Sequence, residues 1–305
     1  MKLITLNTHS LEEEHYEEKL EQFVEEICRE MPHVIALQEV NQTRTKAPVP
    51  VDLLERSGYI PCELGDDCEE AVIREDNHGY RAAKMLLERG VSYSWTWVSA
   101  KIGYEKYDEG LALFCRFPVL DTGQFFITKT HDYRNWKTRK ILGITAMTDR
   151  GPQQFYSVHM GWWQDEEEPF YEQWKRIAGL VKPQEGAPSW LMGDFNSPSH
   201  IPGEGYDLIK KSGWQDSYEL AEEKDGGNTV DHSIDGWKDK KEKRAMRIDY
   251  IWMDRRMPVK CSRVLFDGKC YPVVSDHFGI SAECGSGKEV SADSGMRENL
   301  HGNEE

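Results

Sequence analysis

Basic residues are scarce in this chain of 305: 38 Lys plus Arg stand against 54 Asp plus Glu, a formal net charge of −16. The deficit argues against a long polyanion held by charge alone, and it leaves a small phosphorylated substrate open. Long apolar runs are missing as well. No stretch approaches the roughly 18 uninterrupted apolar residues of a membrane span, and the N-terminus has no charged-then-apolar signal pattern. The expectation is a cytoplasmic protein with no membrane partner. The seven cysteines are an odd set with no CxxC pair, which argues against a disulfide framework or zinc ribbon, and they read as reduced packing residues. There is no repeat of short period and no internal linker composition. One compact domain over residues 1–284 is therefore expected, against a length prior of about 150 residues per domain. Residues 285–305, rich in Gly, Ser, Glu and Asn, read as a disordered tail. What remains, 38% apolar, 11% aromatic and 30% charged, is the composition of a globular protein.

The chain opens as β-α-β. Lys2 to Leu6 is a short apolar run ending in Asn7-Thr-His-Ser10, which reads as a strand delivering polar residues to its end. Ser10-Leu-Glu-Glu13 fits a capping box, and Leu20, Phe23, Val24, Ile27 and Met31 recur at helical spacing before Pro32. The nine Glu among residues 12–30 read as the solvated face of that helix. Val34 to Glu39 is the second strand, with an apolar run that implies burial on both faces. Further strands are expected at Leu111–Cys115, Ile141–Thr148, Gln154–His159, Ser189–Asp194, Arg247–Met253 and Gly279–Glu283. Helices are expected at Tyr80–Arg89, Pro169–Val181 and Tyr206–Ser212.

Several segments share one grammar: an apolar run ends in a residue that can bind metal or move a proton. They are Ile4-Thr-Leu-Asn7, Ala36-Leu-Gln-Glu39, Tyr156-Ser-Val-His159, Trp190-Leu-Met-Gly-Asp-Phe-Asn196, Arg247-Ile-Asp-Tyr250 and Val273-Val-Ser-Asp-His277. In open α/β sheets ligands gather at the carboxyl ends of strands, so these ends could converge on one site. Singly, each is also ordinary turn chemistry.

In order, Asn7, Gln-Glu39, His159, Gly-Asp-x-Asn, Ile-Asp-Tyr and Ser-Asp-His resemble the endonuclease/exonuclease/phosphatase superfamily, from Leu3 to about Glu283. The resemblance implies an α/β fold, a four-layer α/β/β/α sandwich of two packed mixed sheets with helices outside. It also implies Mg²⁺-dependent hydrolysis of phosphate esters, with Mn²⁺ as an alternative ion. Glu39 would be the principal ligand, with Asn7 and Asp276 completing or orienting the metal shell, since Mg²⁺ takes hard oxygen donors and keeps several waters. Asp194 would activate the attacking water and Asn196 would point its amide at a phosphoryl oxygen. His277, held by Asp249, would steady the developing charge as an imidazolium, and His159 would donate to the phosphate. Whether His277 or a metal-bound water protonates the leaving oxygen stays open. Glu109 and Arg139 sit where the family often has a histidine-supporting acid and a phosphate-contacting arginine, though a surface salt bridge would explain them equally.

The shared core does not choose among nucleases, lipid phosphodiesterases and small-molecule phosphatases. The only basic concentration runs from Lys238 to Arg247, net +4; it reads either as a solvated charge run or as a rim loop attracting an anion. Trp162 and Trp163 follow His159 by three and four positions, and Trp136 precedes Arg139 by three. Aromatic faces there suit sugar rings or bases, with core packing as the other explanation. The segments Leu-Asn-Thr-His-Ser, Val-His-Met-Gly-Trp-Trp and Arg-Ile-Asp-Tyr-Ile-Trp resemble the bacterial maltose 6′-phosphate phosphatase branch. That resemblance implies a cytoplasmic phosphomonoesterase acting on a small phosphorylated sugar and not on nucleic acid. The rivals are a phosphodiesterase cutting nucleic acid and an inactive metal-binding scaffold. A scaffold would not need the whole carboxylate, amide and imidazole set.

Overall fold

In a computed structural model, residues 1–62, 71–181, 187–231 and 245–285 are described. In chain order the strands are β1 (Lys2–Asn7), β2 (Val34–Thr43), β3 (Ser94–Gly103), β4 (Tyr107–Cys115), β5 (Val119–Phe126), β6 (Lys140–Thr148) and β7 (Gly151–His159). They continue as β8 (Ser189–Asp194), β9 (Gln215–Asp216), β10 (Ala221–Lys224), β11 (Asp249–Met253), β12 (Val259–Leu265) and β13 (Gly279–Cys284). The helices are α1 (Tyr16–Glu30), α2 (Val51–Arg56), α3 (His78–Glu88), α4 (Phe170–Leu180), α5 (Gly205–Lys211) and α6 (Ser217–Leu220). A seven-stranded sheet runs β10-β12-β13-β1-β2-β4-β3, and a six-stranded sheet runs β5-β6-β7-β8-β11-β9. Both are mixed: β1 pairs β2 parallel and β13 antiparallel, while β8 pairs β7 parallel and β11 antiparallel.

The layering follows from period-two burial in strands that are apolar on both faces. Val34 and Ala36 of β2, Leu111 and Leu113 of β4, Trp190 and Met192 of β8, and Ile251 and Met253 of β11 fill the space between the sheets. Their neighbours Ile35, Leu37, Ala112 and Phe114 turn outward, beneath Leu20, Phe23, Val24 and Ile27 of α1 and Leu86 of α3. On the far side Leu191, Tyr250 and Trp252 lie under Phe170, Trp174 and Ile177 of α4 and Tyr206 and Ile209 of α5. The result is the expected α/β/β/α sandwich. Each fully buried large side chain contributes about 1.5–3 kcal/mol by leaving water, so the three apolar layers fix the strand register that aims the polar ends. Among the described residues, no helix is long and apolar enough to cross a membrane.

Several expectations need correction. Ser10 does not cap α1: residues Ser10–Glu12 form a separate 3-10 turn, and α1 starts after His15, which is left-handed and makes no side-chain cap. Ser10 Oγ instead donates to the Glu39 carbonyl at 2.7 Å, which ties the turn to β2. Asp249 opens β11 rather than closing it, and Asp276 and His277 precede β13. Since β11 runs antiparallel to β8, and β13 to β1, their N-terminal ends arrive where the carboxyl ends of β1 and β8 lie. The strands β3, β5, β9, β10 and β12 were not anticipated. Cys62, Cys115, Cys261 and Cys284 are buried packing residues, whereas Cys270 is exposed. Cys68, the basic run from Lys238 to Arg244 and the tail from residue 286 lie outside the described residues. Arg247, the last cation of that run, is no rim charge: it is buried, 2.5 Å from Asp216, with its guanidinium over the rings of Tyr206, Tyr218 and Tyr250.

Candidate active site

The convergence begins with strand register. Asn7 pairs with Gln38, His159 with Asp194, and Asp249 with Asp194, which brings β1, β2, β7, β8 and β11 to one edge of the sandwich. Two backbone devices aim the side chains there. In β2 the register against β4 slips between Leu37 and Val40, a bulge in which Glu39 takes φ 49°. A left-handed non-glycine residue costs on the order of 1 kcal/mol or more and persists only where its surroundings hold it. Thr8 Oγ1 at 3.1 Å and Ser10 Oγ at 2.7 Å both donate to the Glu39 carbonyl, and Ser10 Oγ accepts from the Asn41 N–H at 3.1 Å. In β8, Gly193 has φ 151°, and a Cβ there would stand 1.9 Å from the Val158 carbonyl oxygen. Only glycine lets β7 approach, which is the reason for glycine in Gly-Asp-Phe-Asn.

A cavity of about 330 Å³ opens at this edge, lined among others by Glu39, His159, Asp194, Asn196, Asp276 and His277. Asn7 sits immediately behind: its Nδ2 donates to Glu39 Oε1 at 2.9 Å and to Asp194 Oδ2 at 3.2 Å. Asp249 is fully buried behind His277, its Oδ2 3.1 Å from His277 Nδ1. The opposite ring nitrogen of His277 lies 3.9 Å from Asp194 Oδ2, and His159 Nε2 lies 3.6 Å from the same oxygen. Ser275 ties the last segment in place by donating to the Asn7 carbonyl at 2.7 Å and accepting from the His277 N–H at 3.2 Å.

Electrostatics divides the titratable groups into roles. Burial raises the Asp194 carboxyl; nearby Asp249 adds to the rise, while His277 and the Asn196 N–H oppose it. Burial alone would lower His277, but the Asp249 and Asp194 carboxylates outweigh it and hold the ring well above its ordinary value, so it is an imidazolium. His159 is driven the other way, by burial first and then by Arg139 and His277, and is neutral. A cation, His277, and a neutral donor, His159, thus flank the proton acceptor Asp194. Asn196 departs from expectation in detail: left-handed at φ 46°, it directs Nδ2 to the Met160 carbonyl at 3.0 Å and to Asp194 at 3.3 Å. Its N–H also donates to Asp194 Oδ1 at 2.8 Å, so it fixes Asp194 while lining the cavity.

The oxygen donors fit a divalent cation. Glu39 Oε2 is buried and finds no hydrogen-bond partner among the described residues, although Oε1 is engaged by Asn7. An orphaned carboxylate oxygen in a cavity that Asp276 also lines is a hard donor suited to a hard ion. Burial raises the Asp276 carboxyl, with Glu39 and Glu13 adding and His277 and His9 opposing.

Glu109 and Arg139 are not a surface pair. Both are buried in the cavity lining, where Glu109 lies 2.9 Å from the Lys101 ammonium and 3.8 Å from Arg139. Burial and Glu39 push the Glu109 carboxyl up, with His9 acting against that rise. Trp162 lines the cavity, but Trp163 does not; it packs on Phe170 with ring centroids 5.9 Å apart. Two ionisable side chains of the lining, besides Tyr104, escaped the sequence reading. His9 Nδ1 is 2.8 Å from Glu13 Oε1 and 4.0 Å from Asp276 Oδ1. Burial would lower its ring, yet Glu13, Asp276 and Glu39 raise it to about 9. Lys101, on the register slip of β3 against β4, is the other; a lone lysine inside the apolar run from Trp95 to Ile102 was its only sequence signal.

A family profile described as the Endonuclease/Exonuclease/phosphatase family matches residues 4–277. Among solved structures, an endonuclease/exonuclease/phosphatase family protein from Leptotrichia buccalis C-1013-b is similar at 32% identity and TM-score 0.79, covering 93% of this chain and 99% of that one. A mannosyl-6-phosphatase from Bacteroides thetaiotaomicron VPI-5482 shares the fold at 17% identity and TM-score 0.60, over 93% of this chain and 99% of that one. A truncated TDP2 from Caenorhabditis elegans does so at 15% identity and TM-score 0.56, over 92% and 95% of the two chains. No curated protein matches. With its profile running from the first strand to the histidine of Ser-Asp-His, the chain belongs to the endonuclease/exonuclease/phosphatase family, whose members are hydrolytic phosphoesterases using a divalent metal.

Proposed function

We propose that this protein is a cytoplasmic, Mg²⁺-dependent phosphomonoesterase that removes phosphate from a sugar phosphate, with maltose 6′-phosphate the first candidate and nucleic acid not a substrate. The observation that carries the hydrolytic reading is the grouping around Asp194 Oδ2 of Asn7, His159 and His277, in a cavity shared with Glu39 and Asp276. What favours a small monoester is the net charge of −16 and a cavity of about 330 Å³, near the lower end of the usual range for small-ligand sites. A sugar phosphatase among proteins of this fold makes the substrate class reasonable.

Glu39, Asn7 and Asp276 would hold the cation. When bound, it neutralises phosphoryl charge and polarises the ester. Asp194, with its raised carboxyl and a backbone N–H fixing one oxygen, takes the proton from the attacking water. His277 meets the charge growing on the phosphoryl oxygens as an imidazolium, and Asp249 keeps it charged and oriented. Neutral His159 donates a hydrogen bond without adding charge, and Arg139 supplies the fixed cation beside it.

The reading is tested with maltose 6′-phosphate, p-nitrophenyl phosphate and plasmid DNA, each with Mg²⁺ or EDTA. The expected result is phosphate release from the sugar phosphate with Mg²⁺ and none with EDTA. Cleavage of DNA without release of phosphate would overturn the proposal. A second expectation concerns the bulge. Ser10→Ala removes one of the two hydroxyl donors on the Glu39 carbonyl, and the Mg²⁺ needed for half-maximal activity should rise by about tenfold, as for other residues that orient a ligand. Titrating activity against Mg²⁺ checks this, and an unchanged midpoint would mean that the bulge stands without Ser10.

A further inference from the structure

Two aromatic rings in the cavity lining have no part in the chemistry just described. Trp136 is 53% exposed, and its ring centroid lies 5.7 Å from that of Trp162 with the planes inclined at 56°. Trp162 Nε1 is buried and has no hydrogen-bond partner among the described residues. A buried indole N–H without an acceptor is uncommon, because leaving it unmade costs about 1 kcal/mol or more. Both rings stand beside phosphate-site residues, Trp136 three positions before Arg139 and Trp162 three after His159.

The segments carrying them are braced against each other. Lys137 Nζ sits 5.4 Å from the centre of the Trp136 ring and 2.9 Å from Asp165. The buried Glu168 carboxylate accepts from the Lys129 N–H at 2.8 Å and the Thr130 N–H at 2.7 Å. Trp162 itself rests on Val230, Met246 and Ile248. Ordering two indoles costs side-chain entropy, and here that cost is met before any ligand arrives.

We propose that Trp136 and Trp162 form a subsite for the pyranose ring that bears the phosphate. This rests on the sugar-phosphate reading and deepens it. A pyranose offers an apolar face of C–H groups and a rim of hydroxyls. Inclined indoles make a corner that takes the C–H face of the sugar on one ring and closes against its edge with the other. A nucleobase would instead be gripped between parallel planes, and 56° is far from parallel. Trp136 and Trp162 line the same cavity as Arg139 and His159, which places the ring next to the phosphate.

The test compares wild type with Trp136→Ala and Trp162→Phe on maltose 6′-phosphate, glucose 6-phosphate, adenosine monophosphate and glycerol 3-phosphate, a monoester without a ring. Phe keeps an aromatic ring against Val230, Met246 and Ile248 and removes the rest of the indole platform. Both variants should lose about tenfold more kcat/KM on the hexose phosphates than on glycerol 3-phosphate, the worth of one contact, and the loss should lie in KM. Equal losses on all substrates, or a larger loss on adenosine monophosphate, would overturn the subsite while leaving the phosphatase reading intact. Wild-type enzyme that hydrolyses glycerol 3-phosphate but neither hexose phosphate would overturn the subsite together with the sugar-phosphate reading.

Discussion

Asp194→Asn is expected to lower kcat by about 1,000-fold or more, the scale on which a positioned general base operates, while the metal-free protein melts no lower than wild type. The turnover loss follows from chemistry: an amide cannot take a proton from water. The stability result follows from burial. Asp194 is 1% exposed, and its carboxyl is held above the ordinary range by burial and by Asp249. A carboxyl whose folded value is raised binds its proton more tightly in the native state, so its contribution to stability falls as pH climbs from about 4, the unfolded value, through the elevated folded one. At neutral pH the wild-type site therefore carries an unfavourable charge that Asn lacks. Asn keeps one oxygen to accept the Asn196 N–H, and His277 keeps Asp249 at 3.1 Å. Melting curves in EDTA at pH 5 and pH 8 should show a smaller decline in the variant. A steeper decline, or turnover within tenfold of wild type, would remove Asp194 from the role given to it.

That trade-off explains what could and could not be read from the chain. Glu39 and Asp194 were legible because each ends an apolar run buried on both faces, and such a run has one polar terminus at which to act. His277 was legible through its Ser-Asp-His neighbours. The direction of approach was not, since an apolar run has no arrow: Asp249 begins β11 and His277 precedes β13. Nor was the left-handed bulge at Glu39, which depends on hydroxyls of Thr8 and Ser10 some 30 residues away. His9 escaped because its meaning comes from Asp276, on the other side of a 267-residue separation. The β5 strand escaped because it is a sheet edge with Leu120 and Asp121 exposed, which breaks the alternation. Trp162 and Trp163 looked equivalent in sequence, and only packing on Phe170 separates the second from the cavity.

The second large effect is expected at His277. His277→Ala should lower kcat by about 100- to 1,000-fold, the loss usual for one preorganised donor at a developing oxyanion. Alanine also removes the partner of a fully buried carboxylate, so Asp249→Asn is the cleaner probe. In wild type, burial lowers the ring and the carboxylates of Asp249 and Asp194 overcome it, so the imidazolium persists well above the ordinary histidine range. With Asp249 neutralised, only Asp194 at 3.9 Å and Asp276 support the charge, and the folded value must fall. The charged form exists below that value, so the alkaline limb of kcat/KM should move to lower pH. Stability obeys the same sign: a raised histidine contributes fully below about 6.5 and loses its contribution as pH rises through the folded value. The variant should lose it earlier. A pH profile of kcat/KM from 5 to 10 separates this account from a purely steric one. An alkaline limb that stays in place while activity drops uniformly would show that Asp249 only braces the ring and does not set its charge.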